Sequence, residues 1–221
     1  MTSTPTKPVR RFVKVLNLSL GLATLLALSG HAEDVRYKAQ PRGSKVTVAG
    51  TSTIHDWTLE GEIIGGYLEL PAGVAFDTAK AELPGATDGK LTAKAEVGIP
   101  VTSLKAPYSG MDEVMQQAMN AKDHPRIQFH LLEMTLKSPH PTGTPFVFDA
   151  KGDLIVNGVT NTITMPVTME NSEPTKLKIT GKVPLKMTDF KVTPPVKLGI
   201  FRTGDDINIT FEWVVAAPKP Q

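Results

Sequence analysis

The segment from Phe146 to Met169, FVFDAKGDLIVNGVTNTITMPVTM, leaves its part of the chain little conformational choice. Apolar and polar residues alternate up to Asn157-Gly158 and alternate again beyond it. Phe146, Phe148, Ala150, Leu154 and Val156 share one parity; Ile163, Met165, Val167 and Met169 share another. Successive strand side chains point to opposite faces, so the pattern predicts a two-stranded hairpin with one dry and one wet face. Asn-Gly suits the turn because both residues tolerate positive φ.

The same period of two recurs along the chain. Val46 and Val48 alternate with Lys45 and Thr47, and a second strand is expected over Trp57–Ile63. Residues 71–90 read as a loop with one short strand around Val74–Phe76. Leu91 to Ile99 alternates again, as do Ile127 to Leu131, Leu177 to Met187 and Ile207 to Val215, with a loose tail expected from Ala216. One helix is predicted: Met111, Val114, Met115, Ala118 and Met119 fall on a single stripe, with Ser109 as N-cap and His124-Pro125 as the stop. Many short antiparallel strands with one helix define an all-β chain, either a sandwich or an up-and-down barrel.

The N-terminus has a different character. Lys7, Arg10, Arg11 and Lys14 precede an apolar run from Val15 to Leu28, and Gly30-His31-Ala32 follows. This is the pattern of a secretory signal peptide cleaved after Ala32, which leaves residues 33–221 as one domain. The run is shorter than the ~20 residues of a spanning helix, so no transmembrane anchor is expected in the mature protein. The leader holds four basic and no acidic residues, so its removal takes the net charge from +2 to −2. That balance gives no support for nucleic-acid binding. The chain has no cysteine, so disulfides are excluded and the fold stands on its core alone.

Several blocks resemble the YceI-like family. They are Gly50–Trp57 (GTSTIHDW), Met111–Phe129, Gly152–Thr160 with Ile163–Val167, and Gly181–Phe190 (GKVPLKMTDF). The His55-Asp56-Trp57 form is a variant of the family's first block. Lys191 stands where a glycine often follows Asp-Phe, ahead of a proline-rich stretch. The resemblance implies an extended antiparallel lipocalin-like β-barrel of about eight strands, with the helix covering it. It also implies a periplasmic protein that carries a hydrophobic amphiphile of isoprenoid, quinone or fatty acyl type.

The inward parities then supply a cavity lining: Trp57, Phe129, Phe148, Leu154, Val156, Ile163, Met165, Ile179, Met187, Phe190, Phe211 and Trp213. A lipid site needs no reactive group, and neither catalysis, metal nor cofactor is expected. His124, His130 and His140 lack ligand spacing, and no Gly-x-Ser-x-Gly elbow or P-loop occurs. Two rivals stay open. One is a filled barrel acting through its surface, since small barrels are often packed by their own side chains. The other is an enzyme using His55, although adjacent strand residues diverge and Asp56 is expected to bond local backbone in a turn. Ligand identity and homodimerisation are not legible.

Overall fold

The computed structural model describes residues 1–2, 34–138 and 140–218, so the expected signal peptide lies outside the described residues except for Met1 and Thr2. In chain order the first strands are β1 (Val35–Ala39), β2 (Lys45–Ser52), β3 (Trp57–Gly61), β4 (Gly65–Leu70), β5 (Ala86–Thr87), β6 (Lys90–Leu91) and β7 (Lys94–Pro100). Helix α1 (Ser109–Ala118) follows. The remainder is β8 (Arg126–Leu136), β9 (Phe146–Val156), β10 (Val159–Glu173), β11 (Lys176–Lys186), β12 (Val196–Lys197) and β13 (Phe201–Ala216).

The expected hairpin is β9 and β10, paired antiparallel from Val156↔Val159 to Phe146↔Met169. Asn157 and Gly158 both take positive φ, 51° and 71°, as a tight primed turn demands. The Asn157 amide also donates to the carbonyls of Phe190 and Lys191, at 3.3 and 3.2 Å, tying the hairpin to the 3-10 turn at Thr188–Phe190. The apolar parities predicted for both strands face the interior.

Antiparallel neighbours run β1-β4-β7-β8-β9-β10-β11-β13, and β13 returns to β1 through Lys38↔Ala216 and Ala39↔Val215. The result is a closed eight-stranded antiparallel barrel of lipocalin type, as the sequence predicts. Closure leaves no strand edge at that end. From Thr203 to Glu212 β13 pairs instead with β2, and β3 forms the outer edge beyond it. There the wall is joined to the following loop by one bridge, with Glu60 and Lys105 exchanging backbone hydrogen bonds of 2.8 and 2.7 Å.

The two ends of the barrel differ inside. At the closed end Leu70, Phe146, Phe148, Met169, Leu177 and Val215 are completely buried. Phe76 packs edge-on against Phe146 and Phe148, with ring centroids 5.9 and 6.3 Å away. Phe76 comes from a loop; the short strand expected there is not formed, and the loop runs from the end of β4 at Leu70 to β5. At the other end several inward-facing side chains are only half-buried, among them Ile127, Phe129, Ile163, Leu185, Ile207, Ile209 and Phe211. An inward residue that keeps accessible surface borders a space, so this half is hollow.

Other details depart from the sequence reading. Ser109 begins α1, and Tyr108 (φ −120°, ψ 120°) is the N-cap. The helix stops before His124 because Asn120 turns left-handed at φ 48°, and the His124 N–H donates to its carbonyl at 2.9 Å. In β8 a bulge between Leu131 and Glu133 shifts the parity. Ile127, Phe129 and Leu131 face the core before it and Met134 after it, while Leu132 is pushed into solvent. At the far end β13 includes Ala216, and the Ala217 N–H donates to Thr175, so backbone pairing enters the expected tail.

Candidate ligand-binding chamber

The hollow half contains two apolar voids. The outer one, about 320 Å³, lies between α1 and the ends of β2, β3, β9, β11 and β13. The inner one, about 100 Å³, lies deeper among β2, β7, β8, β9, β10, β11 and β13. Val48, Leu104, Ile127, Leu154 and Ile209 belong to both walls, so the voids adjoin. The outer void alone reaches the size range of small-molecule sites, and its surface is overwhelmingly apolar.

Helix α1 covers the outer void. Met111, Val114, Met115, Ala118 and Met119, the stripe read from the sequence, all border it. None of the five is fully buried. The helix therefore rests over space rather than interlocking with a packed core. It is tethered at its first turn, where Asp112 accepts the Ala106 N–H at 2.7 Å and pairs with Lys105 at 3.2 Å. The backbone N–H and then the Lys105 ammonium hold the Asp112 carboxyl below the usual aspartate range.

Ten of the twelve expected lining residues border a void. Trp57, Val156, Met187 and Phe190 line the outer one, and Phe129, Ile163, Met165, Phe211 and Trp213 the inner one, with Leu154 shared. Phe148 and Ile179 do not: both lie in the packed cluster of the closed end, on the correct face but too far along their strands. The alternation gives a side chain's face, not its height in the barrel. Sequence reasoning set α1 over the barrel but did not count its stripe among the lining residues, and it missed Val192 and Pro195 ahead of β13 and Phe201 at its start.

Three glycines shape the lining. A Cβ at Gly50 would collide with the Trp57 indole, one at Gly152 with the Phe129 ring, and one at Gly181 with the Phe211 ring. Each ring occupies the space that a side chain on the glycine of the next strand would take, which draws a large aromatic towards the wall. Gly50 faces Trp57 and Gly181 faces Phe211 in strand register, while Gly152 sits diagonal to Phe129. The Trp57 N–H leaves the apolar surface by donating to the Thr51 carbonyl at 3.0 Å.

The polar residues bordering the outer void are Ser52, His55, Arg202 and Thr203. His55 thus reaches the mouth, as the enzymatic rival requires. Its Nδ1 bonds the Asp56 carbonyl at 2.7 Å, however, rather than a hydroxyl. The Ser52 hydroxyl donates to the His55 carbonyl at 2.7 Å and accepts the N–H groups of Ile54 and His55 at 3.3 Å. Ser52, not Asp56, therefore holds this turn, and no nucleophile–base pair forms. Among the described residues no three potential ligands converge on a metal position.

A closed barrel, filled at one end and opening at the other into an apolar chamber under a helix, defines a lipocalin-type protein. The chain matches the family model described as the YceI-like domain over residues 37–215 and belongs to that family. Among solved structures it is similar to BcnA of Burkholderia cenocepacia, with 21% identity, TM-score 0.55, and coverage of 77% of this chain and 95% of that one. It is also similar to a polyisoprenoid binding domain from Saccharophagus degradans implicated in plant cell wall breakdown. That match has 11% identity, TM-score 0.58, and coverage of 83% and 99%. At these identities the likeness is one of fold. No curated protein matches the sequence.

Proposed function

We propose that this protein is exported to the periplasm after removal of residues 1–32 and there carries a long-chain amphiphile, performing no chemistry on it. The observation that supports this most directly is the set of inward apolar residues left half-buried around the adjoining voids. A core meant to be solid would close on them, because voids forfeit dispersion contacts. Family membership and the polyisoprenoid binding title of one structural neighbour support the same class of ligand. Burial of about ten methylenes contributes on the order of 8 kcal/mol, which corresponds to micromolar affinity before ordering costs. The mouth of the outer void, bordered by Ser52, His55, Arg202 and Thr203, is the place for a polar head. An isoprenoid, a quinone and a fatty acyl lipid all meet this description.

Native mass spectrometry of the protein purified from its exported fraction tests the reading. Additional mass that extracts into organic solvent is expected; bare protein that also fails to bind an added acyl or isoprenoid probe would reject it. N-terminal sequencing of the same sample should begin at Glu33.

A further inference from the structure

The segment between the 3-10 turn and β13 ends in an unusual hairpin. Val196 pairs with Arg202 and Lys197 with Phe201, so residues 198–200 form the turn. Leu198 takes φ 54° and Gly199 φ 72°. A left-handed backbone is natural for glycine and unfavourable for a leucine, whose Cβ crowds the following carbonyl. The Leu198 side chain gains nothing in return from the core, since it is 80% exposed. Ile200 and Val196 are 66% and 53% exposed beside it.

The exposed apolar surface continues across the neighbouring turn. Ile54 is 60% exposed, and its neighbour Thr53 is bonded to Arg202 twice, its N–H donating to the Arg202 carbonyl at 2.9 Å and its hydroxyl accepting the Arg202 N–H at 3.1 Å. Ile54 also borders the outer void, as do Pro195 and Phe201 at the base of the hairpin. The exposed apolar tip thus stands next to residues that border the chamber mouth. Along the hairpin segment itself, residues 190–204, every charge is positive (Lys191, Lys197 and Arg202), and the acids Asp189 and Asp205 lie at its two ends.

We propose that this hairpin is a membrane-docking tip, inserting Leu198 and Ile200 among the acyl chains of an anionic phospholipid bilayer while the exposed Lys191 and Arg202 meet the headgroups. The inference rests on the lipid-carrier reading, because a bilayer is where a long-chain amphiphile is collected or delivered. Docking by this tip sets the chamber mouth against the surface, so a tail can pass between bilayer and barrel without crossing water. Inserted apolar side chains and nearby basic residues add their effects, the latter on the order of fivefold each near an anionic surface.

Co-flotation of the purified protein with phosphatidylglycerol-containing vesicles provides the test, alongside binding of a fluorescent acyl probe in vesicle-free solution. The variant Leu198→Asn with Ile200→Ser removes the apolar tip, and asparagine suits the left-handed position, so folding is kept. It should lower vesicle partition roughly tenfold or more, leave solution probe binding unchanged, and slow probe transfer from vesicles. Replacing phosphatidylglycerol with phosphatidylcholine should weaken the wild-type protein's partition. Absence of wild-type vesicle binding, or equal binding by the variant, would overturn the proposal even if the probe binds in solution. A dimer that forms only in the wild-type protein, without flotation, would assign the tip to a second copy and overturn it too. Failure of the probe to bind either protein speaks against the carrier reading, independently of flotation.

Discussion

Two adjacent residues on β9 illustrate how sharply the barrel separates inside from outside. Leu154 borders both voids, whereas Asp153 turns outward and accepts the Thr162 hydroxyl at 2.6 Å across the hairpin. Leu154→Trp should fill the junction and weaken acyl-probe binding tenfold or more, while Asp153→Ala should leave affinity within about twofold, a difference of under ~0.5 kcal/mol. Titration of the folded variants checks both. The glycines behind the aromatic rings make a second case. Gly181→Val would drive Phe211 into the inner void, destabilising the protein by about 1–3 kcal/mol through overpacking and shortening the longest tail accepted. Gly98→Ala, with open space where its Cβ would stand, should change stability little by comparison. Denaturant titration and a probe series of increasing length separate the two. Faces such as those of Leu154 and Met165 were legible because alternation is a property of consecutive residues. The glycine–aromatic contacts were not, since each joins residues of different strands.

Among the elements, α1 is attached most lightly. It closes the outer void with a stripe that stays partly exposed, and its firmest link among the described residues is Asp112 to the 105–106 loop. Asp112→Ala should therefore speed amide exchange in α1 and release of bound probe, with little change in the unfolding transition. Equal exchange rates in wild type and variant would show the tether to be idle. The tether also carries a pH dependence. A carboxyl held below its unfolded value contributes stability above the ordinary aspartate range, near pH 4, and loses it as pH falls through the lowered value. Probe release should accelerate on acidification through that window and do so less in Asp112→Ala. The stripe was evident from helical spacing, but nothing in the sequence said that it would overlie space. Likewise the β8 bulge hid Met134 from an uninterrupted alternation. Phe76 could not be placed because its partners, Phe146 and Phe148, lie seventy residues on.

At the level of the whole molecule, one barrel divides its labour lengthwise. The packed end supplies stability and the hollow end gives up packing to hold a guest. Phe148→Ala, in the packed end, should cost about 3–5 kcal/mol of unfolding free energy and leave the affinity of the folded fraction near its original value. A matching loss of affinity would mean that the two ends are not independent. The alternation along β9, β10, β11 and β13 made the barrel readable, and no periodicity could have revealed this division. It depends on strand tilt and stagger, which decide how high each inward side chain stands. Phe148 and Ile179 were misplaced for that reason alone.

The pairing of β13 also sets an order of events. This strand, the last of the chain, bonds to β1, β2, β11 and β12, so it closes the ring and ties down the first strands together. Contacts that join residues about 170 positions apart must await the whole intervening chain, and such long-range closure makes folding slow. Until residues 201–216 are released, the ring lacks the strand that joins β11 to β1 and can enclose no guest. A nascent polypeptide of this design stays unlocked until β13 emerges, a timing compatible with the export proposed above.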